Sequence, residues 1–129
     1  MAANESGVGL TEMDADWSDF LERKVNSFIK WDLVRFFHDN PHTEETADHI
    51  ARYTGRDVRA ITRELNDLVD AGVLTAREIS KVNLYRLADD RATRDLIHRF
   101  VEACHDREFR VKAIQHVIRG MQFSPRHDF

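Results

Sequence analysis

Between positions 48 and 87 the apolar residues change period. Val58, Ile61, Leu65 and Leu68, with Val69 alongside, recur at steps of three, four and three, the spacing of one buried stripe on a 3.6-residue helix. Asp57 stands where an N-cap accepts from the free first-turn amides, and Gly72 where a left-handed C-cap carries no steric penalty. A helix over about 58–71 is predicted. Before it, Ala47, Ile50 and Ala51 give the narrow stripe of a shorter helix. Pro41 stops the preceding element, Thr43 is the expected cap, and Glu44 and Glu45 fall in the first turn, where the helix dipole favours negative charge. Tyr53-Thr54-Gly55-Arg56 forms the turn between the two helices, with Gly55 free to take positive φ. After Gly72 the period falls to two. Residues 73–79 and 83–87 are predicted strands with Ser80-Lys81-Val82 as hairpin tip, Leu74, Tyr85 and Leu87 pointing inward and Arg77, Lys81 and Arg86 outward.

The flanking segments are helical. Asp14 or Asp16 begins a helix carrying Trp17, Phe20 and Leu21, and Asn26 or Ser27 restarts the chain. The next helix runs to about Asp39 with Phe28, Ile29, Trp31, Leu33, Val34, Phe36 and Phe37, too many apolar residues for one face. Its surplus must be covered by the helix before it, the C-terminal helices or a partner chain. Ala88-Asp89-Asp90 starts another helix, with a stripe through Leu96, Ile97, Phe100, Val101 and Cys104. It resumes at Val111, Ile114, Val117 and Ile118 and ends near Gly120. One long helix or two shorter ones fit this stripe, and Asp106, placed to cap the second, favours two. Residues 1–13 are expected to be disordered and 121–129 to form a tail, in which Phe123 and Phe129 are candidates for docking.

The polar face of the 58–71 helix is the informative one. Arg56, Arg59 and Arg63 lie close to one line along it, with Thr62, Asn66 and Asp67 nearby. Guanidinium groups bridge phosphates or take a guanine edge bidentately, and asparagine does the same for adenine. Any solvated helix face carries charges, and Glu64, Asp67 and Asp70 could simply pair with the arginines. The surroundings favour the first reading: a short helix, a glycine-bearing turn, a second helix and then a strand pair. Thr46-Ala47, Ile50-Ala51, Thr54-Gly55, Val58, Ile61, Leu65, Leu68, Ala71-Gly72-Val73-Leu74 and Tyr85-Arg86-Leu87 resemble the winged helix-turn-helix of bacterial transcriptional regulators, nearest the broad ArsR/MarR-like grouping. The resemblance covers about 27–87, roughly half the chain. It implies a mostly α (α+β) fold with a two-strand wing and extra N- and C-terminal helices, and a DNA-binding function; winged helices also serve as protein-interaction modules.

Composition adjusts this picture. A chain of 129 residues, 42% hydrophobic and 33% charged, suits one soluble, helix-rich domain. The net charge of −4 argues against nucleic acid, but its distribution is uneven. Residues 1–48 hold 4 Lys/Arg and 11 Asp/Glu, or −7; residues 49–94 hold 9 and 7, or +2; residues 95–129 hold 6 and 5, or +1. Local potential at the docking face governs binding more than the total. A patch of +2 predicts low, strongly salt-sensitive non-specific affinity. The single cysteine, Cys104, fits a reducing compartment. No apolar run approaches the roughly 20 residues that span a bilayer, and residues 1–5 lack signal-peptide character, so a cytoplasmic protein without membrane association is expected.

Catalytic and metal chemistry find little support. Phosphate-binding glycine loops, HExxH, GxSxG and Cys-x-x-Cys are all missing, and no cofactor is expected. His98, Glu102 and His105 lie near one helix face with Cys104 adjacent, yet a break at Asp106 displaces His105, and the Cys-x-Cys and Asp-x-His patterns of metal-sensing ArsR-type repressors are lacking. A solvated face with ordinary histidines accounts for them better. Cys104 sits on the apolar stripe as a packing residue.

The expectation is therefore a non-enzymatic regulator that binds double-stranded DNA as a homodimer; a small-molecule effector is neither implied nor excluded. Residues 14–26 form an N-terminal helix, 27–88 the DNA-binding domain and 89–120 a dimerisation segment. The N-terminal half of the 58–71 helix enters the major groove, and the 73–87 wing meets the adjacent groove. Arg59, Thr62 and Arg63, with Asn66 beside them, face base edges. Arg52, Tyr53, Arg56 and Lys81 lie nearer phosphates. The dimer expectation rests on the apolar surplus of the 27–39 helix and of the terminal helices, and it makes Phe100→Glu a change that splits the dimer while sparing the winged domain.

Overall fold

A computed structural model describes residues 14–122; the expectations for 1–13, and for Phe123 and Phe129, lie outside these residues. Six helices and one two-stranded antiparallel sheet make a winged helix-turn-helix with additional terminal helices: α1 (Ala15–Arg23), α2 (Phe28–Asp39), α3 (Ala47–Thr54), α4 (Val58–Asp70), β1 (Leu74–Ile79), β2 (Val82–Leu87), α5 (Arg91–Ala103) and α6 (Arg107–Gln122).

Local chemistry sets most of these boundaries. Asp14, Ser27, Thr46, Asp57 and Asp90 each accept a hydrogen bond from a first-turn amide of the helix they precede, satisfying donors that the helix itself leaves open. Asp106 does the same for α6, accepting from the Phe109 amide at 2.9 Å, so the C-terminal stripe is two helices. α4 ends in a Schellman arrangement. Gly72, at φ +80, donates to the Val69 carbonyl, and Val73 donates to that of Leu68 at 2.9 Å. Gly55, at φ +73, likewise turns the chain from α3 into α4.

Four expectations are corrected. Thr43 does not cap α3; Thr46 does. Glu44 and Glu45 precede the helix, and Glu45 instead pairs with Tyr85 of β2 as an isolated antiparallel bridge, which adds a third short edge to the wing. Val58 begins the predicted stripe but is 37% exposed, because the first turn of α4 projects beyond the core that holds Ile61, Leu65 and Leu68. The hairpin tip is Ser80-Lys81 alone, since Ile79 pairs directly with Val82. Both tip residues have positive φ, 54 and 69, the signs of a type I′ turn matched to the strand twist. Leu74, Tyr85 and Leu87 are buried, as the alternation predicts.

The apolar surplus of α2 is covered within the single chain. Ile29, Trp31, Leu33, Val34 and Phe37 are all buried, and α2 packs on α4, β2 and α5. On one side Trp31 meets Phe100 of α5, ring centres 5.2 Å apart. Phe100 also meets Phe20 of α1 at 5.0 Å, and Trp17 reaches Phe109 of α6 at 5.5 Å. Each such aromatic contact adds about 0.5–1.5 kcal/mol beyond area burial. Helices α1 and α6 pack against each other and close this cluster. Phe100 is fully buried without any partner chain. Phe100→Glu would therefore place a charge in the core instead of parting two intact subunits, and the apolar surplus no longer argues for a dimer.

Beneath α4 lies a buried polar network. Lys30 and Glu64 are 4% and 0% exposed. The Lys30 Nζ is 3.5 Å from Glu64 Oε1 and 3.2 Å from Asp67 Oδ2, and it donates to Asn26 Oδ1 at 2.6 Å. The Ser27 hydroxyl donates to Glu64 Oε1 at 2.8 Å. α4 is thereby fixed against α2 by directional bonds as well as by packing.

Candidate nucleic-acid interface

The residues expected to meet DNA lie on α4, on α3, in the turn between them and at the wing tip. On α4, Arg59, Arg63 and Asn66 are exposed and Thr62 is half-buried. Arg59, Thr62, Arg63 and Asn66 follow one another at steps of three, one and three, which keeps them on one side of the helix, over about 10 Å at 1.5 Å per residue. On the last turns of α3, Arg52 is exposed and Tyr53 is 71% exposed. The Tyr53 ring rests on Phe36 with centres 5.3 Å apart, so its hydroxyl end projects from a fixed base. Lys81 is exposed at the wing tip, apart from both helices.

Their partners separate them further. Among the described residues the side chains of Arg52, Arg59 and Lys81 make no hydrogen bond or ion pair. Arg56, in the turn, is committed to the fold: its Nε and Nη2 donate to Asp32 Oδ2 of α2 at 3.1 and 2.7 Å. These two bonds to one carboxylate oxygen tie the helix-turn-helix to α2. Arg63 is half-exposed, with Nε 3.9 Å from Glu64 Oε2. Thr62 donates to the Val58 carbonyl of its own helix at 2.8 Å. Asn66 Oδ1 accepts from the buried Tyr85 hydroxyl at 2.8 Å, which joins the middle of α4 to the root of the wing and leaves the amide nitrogen of Asn66 facing outward.

The wing carries its own ion pairs. Arg77 grips Glu44 through two bonds of 2.7 Å, and Arg86 grips Asp89 at 3.0 and 3.2 Å. The Arg77 hydrogen bond holds the Glu44 carboxyl below its ordinary value, with smaller help from the charges of Arg77 and Arg86. Sequence reasoning missed these pairs, as it missed Arg56–Asp32 and the burial of Lys30. For Arg77–Glu44, Arg56–Asp32 and Lys30–Glu64 the partners lie 33, 24 and 34 residues apart, where no local pattern joins them; Arg86 and Asp89 are only three residues apart.

Among the described residues no group of three His, Cys, Asp or Glu side chains is arranged to hold a metal ion. His98 instead stacks on His38, with Nδ1 and Nε2 3.0 Å apart, while His105 lies in the α5–α6 turn. No helix among the described residues is long and apolar enough to cross a membrane.

No protein-family model matches the sequence, and no curated protein matches it. Among solved structures the chain is similar to the homodimeric winged helix-turn-helix DNA-binding domain (fragment 1–100) of a protein from Mycobacterium bovis described as a possible ArsR-family transcriptional regulator. Identity is 15%, the TM-score 0.42, and the match covers 92% of this chain and 97% of that one. The likeness is distant; the winged helix-turn-helix of this chain is defined by its own α3, turn, α4 and hairpin.

Proposed function

We propose that this chain is a sequence-specific double-stranded DNA-binding transcriptional regulator of ArsR/MarR-like type, with 27–88 as its DNA-binding domain. The observation that carries this reading is the outer face of α4, where Arg59 stands exposed and uncommitted beside Arg63 and Asn66. In this reading the N-terminal half of α4 enters the major groove. Arg59 and Arg63 take base edges, with Thr62 and the amide of Asn66 alongside. Arg52, the Tyr53 hydroxyl and Lys81 hold phosphates. Arg56 acts indirectly, by fixing the turn through Asp32.

Selection of duplexes from random and genomic fragments, followed by filter binding across salt concentrations, tests it. Arg63→Ala should cost about 1–3 kcal/mol and relax one base position, while Arg52→Ala should weaken all duplexes alike and lower the salt slope by about one. Failure to retain any duplex at low salt would sink the DNA reading and leave a protein-interaction module, which the net charge of −4 would suit.

A homodimer is part of the proposal, because it pairs two weak sites on half-sites about one DNA turn apart. With Phe100 buried, the surface for it in segment 89–120 is the outer face of α6. There Val111 and Ile118 are 39% and 37% exposed, and half-buried Ile114 lies between them. Sedimentation equilibrium at rising micromolar concentration should show a dimer that Ile118→Glu dissociates without loss of helicity. A monomer mass that persists removes the dimer.

A further inference from the structure

The outward face of α4 is one-sided in what it can offer a ligand. Arg59, Arg63 and Asn66 are exposed on it, and Thr62 is half-buried at its edge. Guanidinium groups carry N–H donors and no acceptor, whereas an asparagine amide and a threonine hydroxyl ordinarily offer both. Here both are constrained. Tyr85 is buried, and a buried hydroxyl must find an acceptor for its proton. It finds Asn66 Oδ1 at 2.8 Å, so the amide oxygen is turned inward and the Nδ2 donors outward. The Thr62 hydroxyl donates to the Val58 carbonyl at 2.8 Å, and keeps a neutral oxygen and a methyl group for anything beyond the helix.

The carboxylates on and beside α4 do not restore the balance. Asp57, the N-cap, accepts from the Arg59 and Ala60 amides. Glu64 is fully buried. Asp67 is held 3.2 Å from Lys30 Nζ. Asp70 lies about three turns, or about 16 Å, beyond Arg59 along the axis.

We propose that α4 reads DNA by donors, selecting duplexes that present guanine to Arg59, Arg63 and Asn66, and that Tyr85 is the positioning residue that withholds the Asn66 oxygen. This rests on the DNA-binding reading and deepens it. In the major groove guanine shows two adjacent acceptors, N7 and O6. Adenine sets a donor, N6, beside its N7, and cytosine shows only the N4 donor. The usual asparagine–adenine pair uses the amide oxygen and nitrogen together. With its oxygen held on a buried hydroxyl, Asn66 is closed to that pair. Donors facing adenine or cytosine meet another donor; facing guanine they meet none. Thymine, with the single O4 acceptor, comes second.

The full chain, wild type and variant, selects duplexes from a random pool, and the best of them is measured again with 7-deazaguanine or inosine at each guanine. Guanine enrichment within the half-site is expected from the wild type. 7-Deazaguanine, which lacks N7, should weaken binding at least about fivefold at a contacted guanine, while inosine, which keeps N7 and O6, should change it by less than about twofold. Asn66→Asp keeps an acceptor for Tyr85 and puts a second one where the donors were. It should lower affinity for all duplexes and, at one position, move the preference from guanine or thymine to cytosine. Tyr85→Phe releases the amide and should admit adenine at that same position. Asn66 is exposed, so the aspartate variant decides if the phenylalanine variant does not fold; circular dichroism checks both. Selected duplexes without guanine enrichment, 7-deazaguanine tolerated at every guanine, or an unchanged base preference in either folded variant would overturn the proposal while leaving the DNA reading intact. Retention of no duplex by the wild type would overturn that reading and this proposal with it.

Discussion

Lys30→Met should destabilise this protein more than Glu64→Leu, although the two residues form one ion pair. At 3.5 Å and an effective dielectric of about 20, their attraction is 332/(20 × 3.5), about 5 kcal/mol. What a variant loses depends on what remains for the residue left behind. Without Glu64, the ammonium keeps Asn26 at 2.6 Å and Asp67 at 3.2 Å, a carboxylate already 35% exposed. Without Lys30, the fully buried Glu64 keeps the Ser27 hydroxyl at 2.8 Å, and Arg63 stands 3.9 Å away and half in solvent. Stranding a buried charge costs about 3–5 kcal/mol, so Lys30→Met should fall in that range and Glu64→Leu at about 1–3 kcal/mol. The double variant removes both charges and should cost clearly less than the sum, with a coupling of about 2 kcal/mol or more. Urea unfolding followed by far-ultraviolet circular dichroism measures all four corners of the cycle, read at constant m value. Lys30→Met within about 1 kcal/mol of the parent, a costlier Glu64→Leu, or an additive double variant would refute the reasoning.

Three further outcomes are expected. Phe100→Ala should cost about 3–5 kcal/mol, and Phe100→Glu should abolish cooperative thermal unfolding, because the ring is fully buried among Phe20, Trp17, Trp31 and Phe109. Ser80→Asn should raise stability by about 0.5–1 kcal/mol in urea, since asparagine tolerates the left-handed conformation of a type I′ turn better than serine. Glu44 has its folded-state pKa lowered by Arg77, so its contribution is present above the ordinary value of 4.5 and is lost as pH falls through the lowered one. Arg77→Ala should move the carboxyl titration up towards that ordinary value, as followed by carbon-detected nuclear magnetic resonance.

What was legible in the sequence was whatever short-range chemistry decides. Asp57, Gly55 and Gly72 mark the ends of α3 and α4 because capping and positive φ are properties of a few adjacent residues. Leu74, Tyr85 and Leu87 fall inward because strand alternation is local too. Thr43 was misread for a related reason: a threonine followed by two glutamates is a sound cap, yet Glu45 is drawn into a backbone pairing with Tyr85 that lies 40 residues on. Val58 fits the period of its helix, but period says nothing of where the core ends. At the site, exposure of Arg59 and Arg63 followed from helical spacing. The commitment of Arg56 to Asp32 did not, because it depends on how α2 crosses the turn. The surplus of apolar residues on α2 was evident, while the identity of the surface covering it required the path of α1, α5 and α6.

The packing of α1 against α6 bears on how the protein is made. The helix that ends at Arg23 is completed only by one that begins at Arg107, so the 83 residues 24–106 must be synthesised in between. At about 5–20 residues per second that interval is roughly 4–17 s. For nearly all of it Trp17 and Phe20 lack the rings of Phe100 and Phe109 that cover them in the finished fold. The winged domain can close while the nascent chain is still emerging, but α1 must wait, its apolar face open to chaperones and to neighbouring chains, until α6 leaves the ribosome.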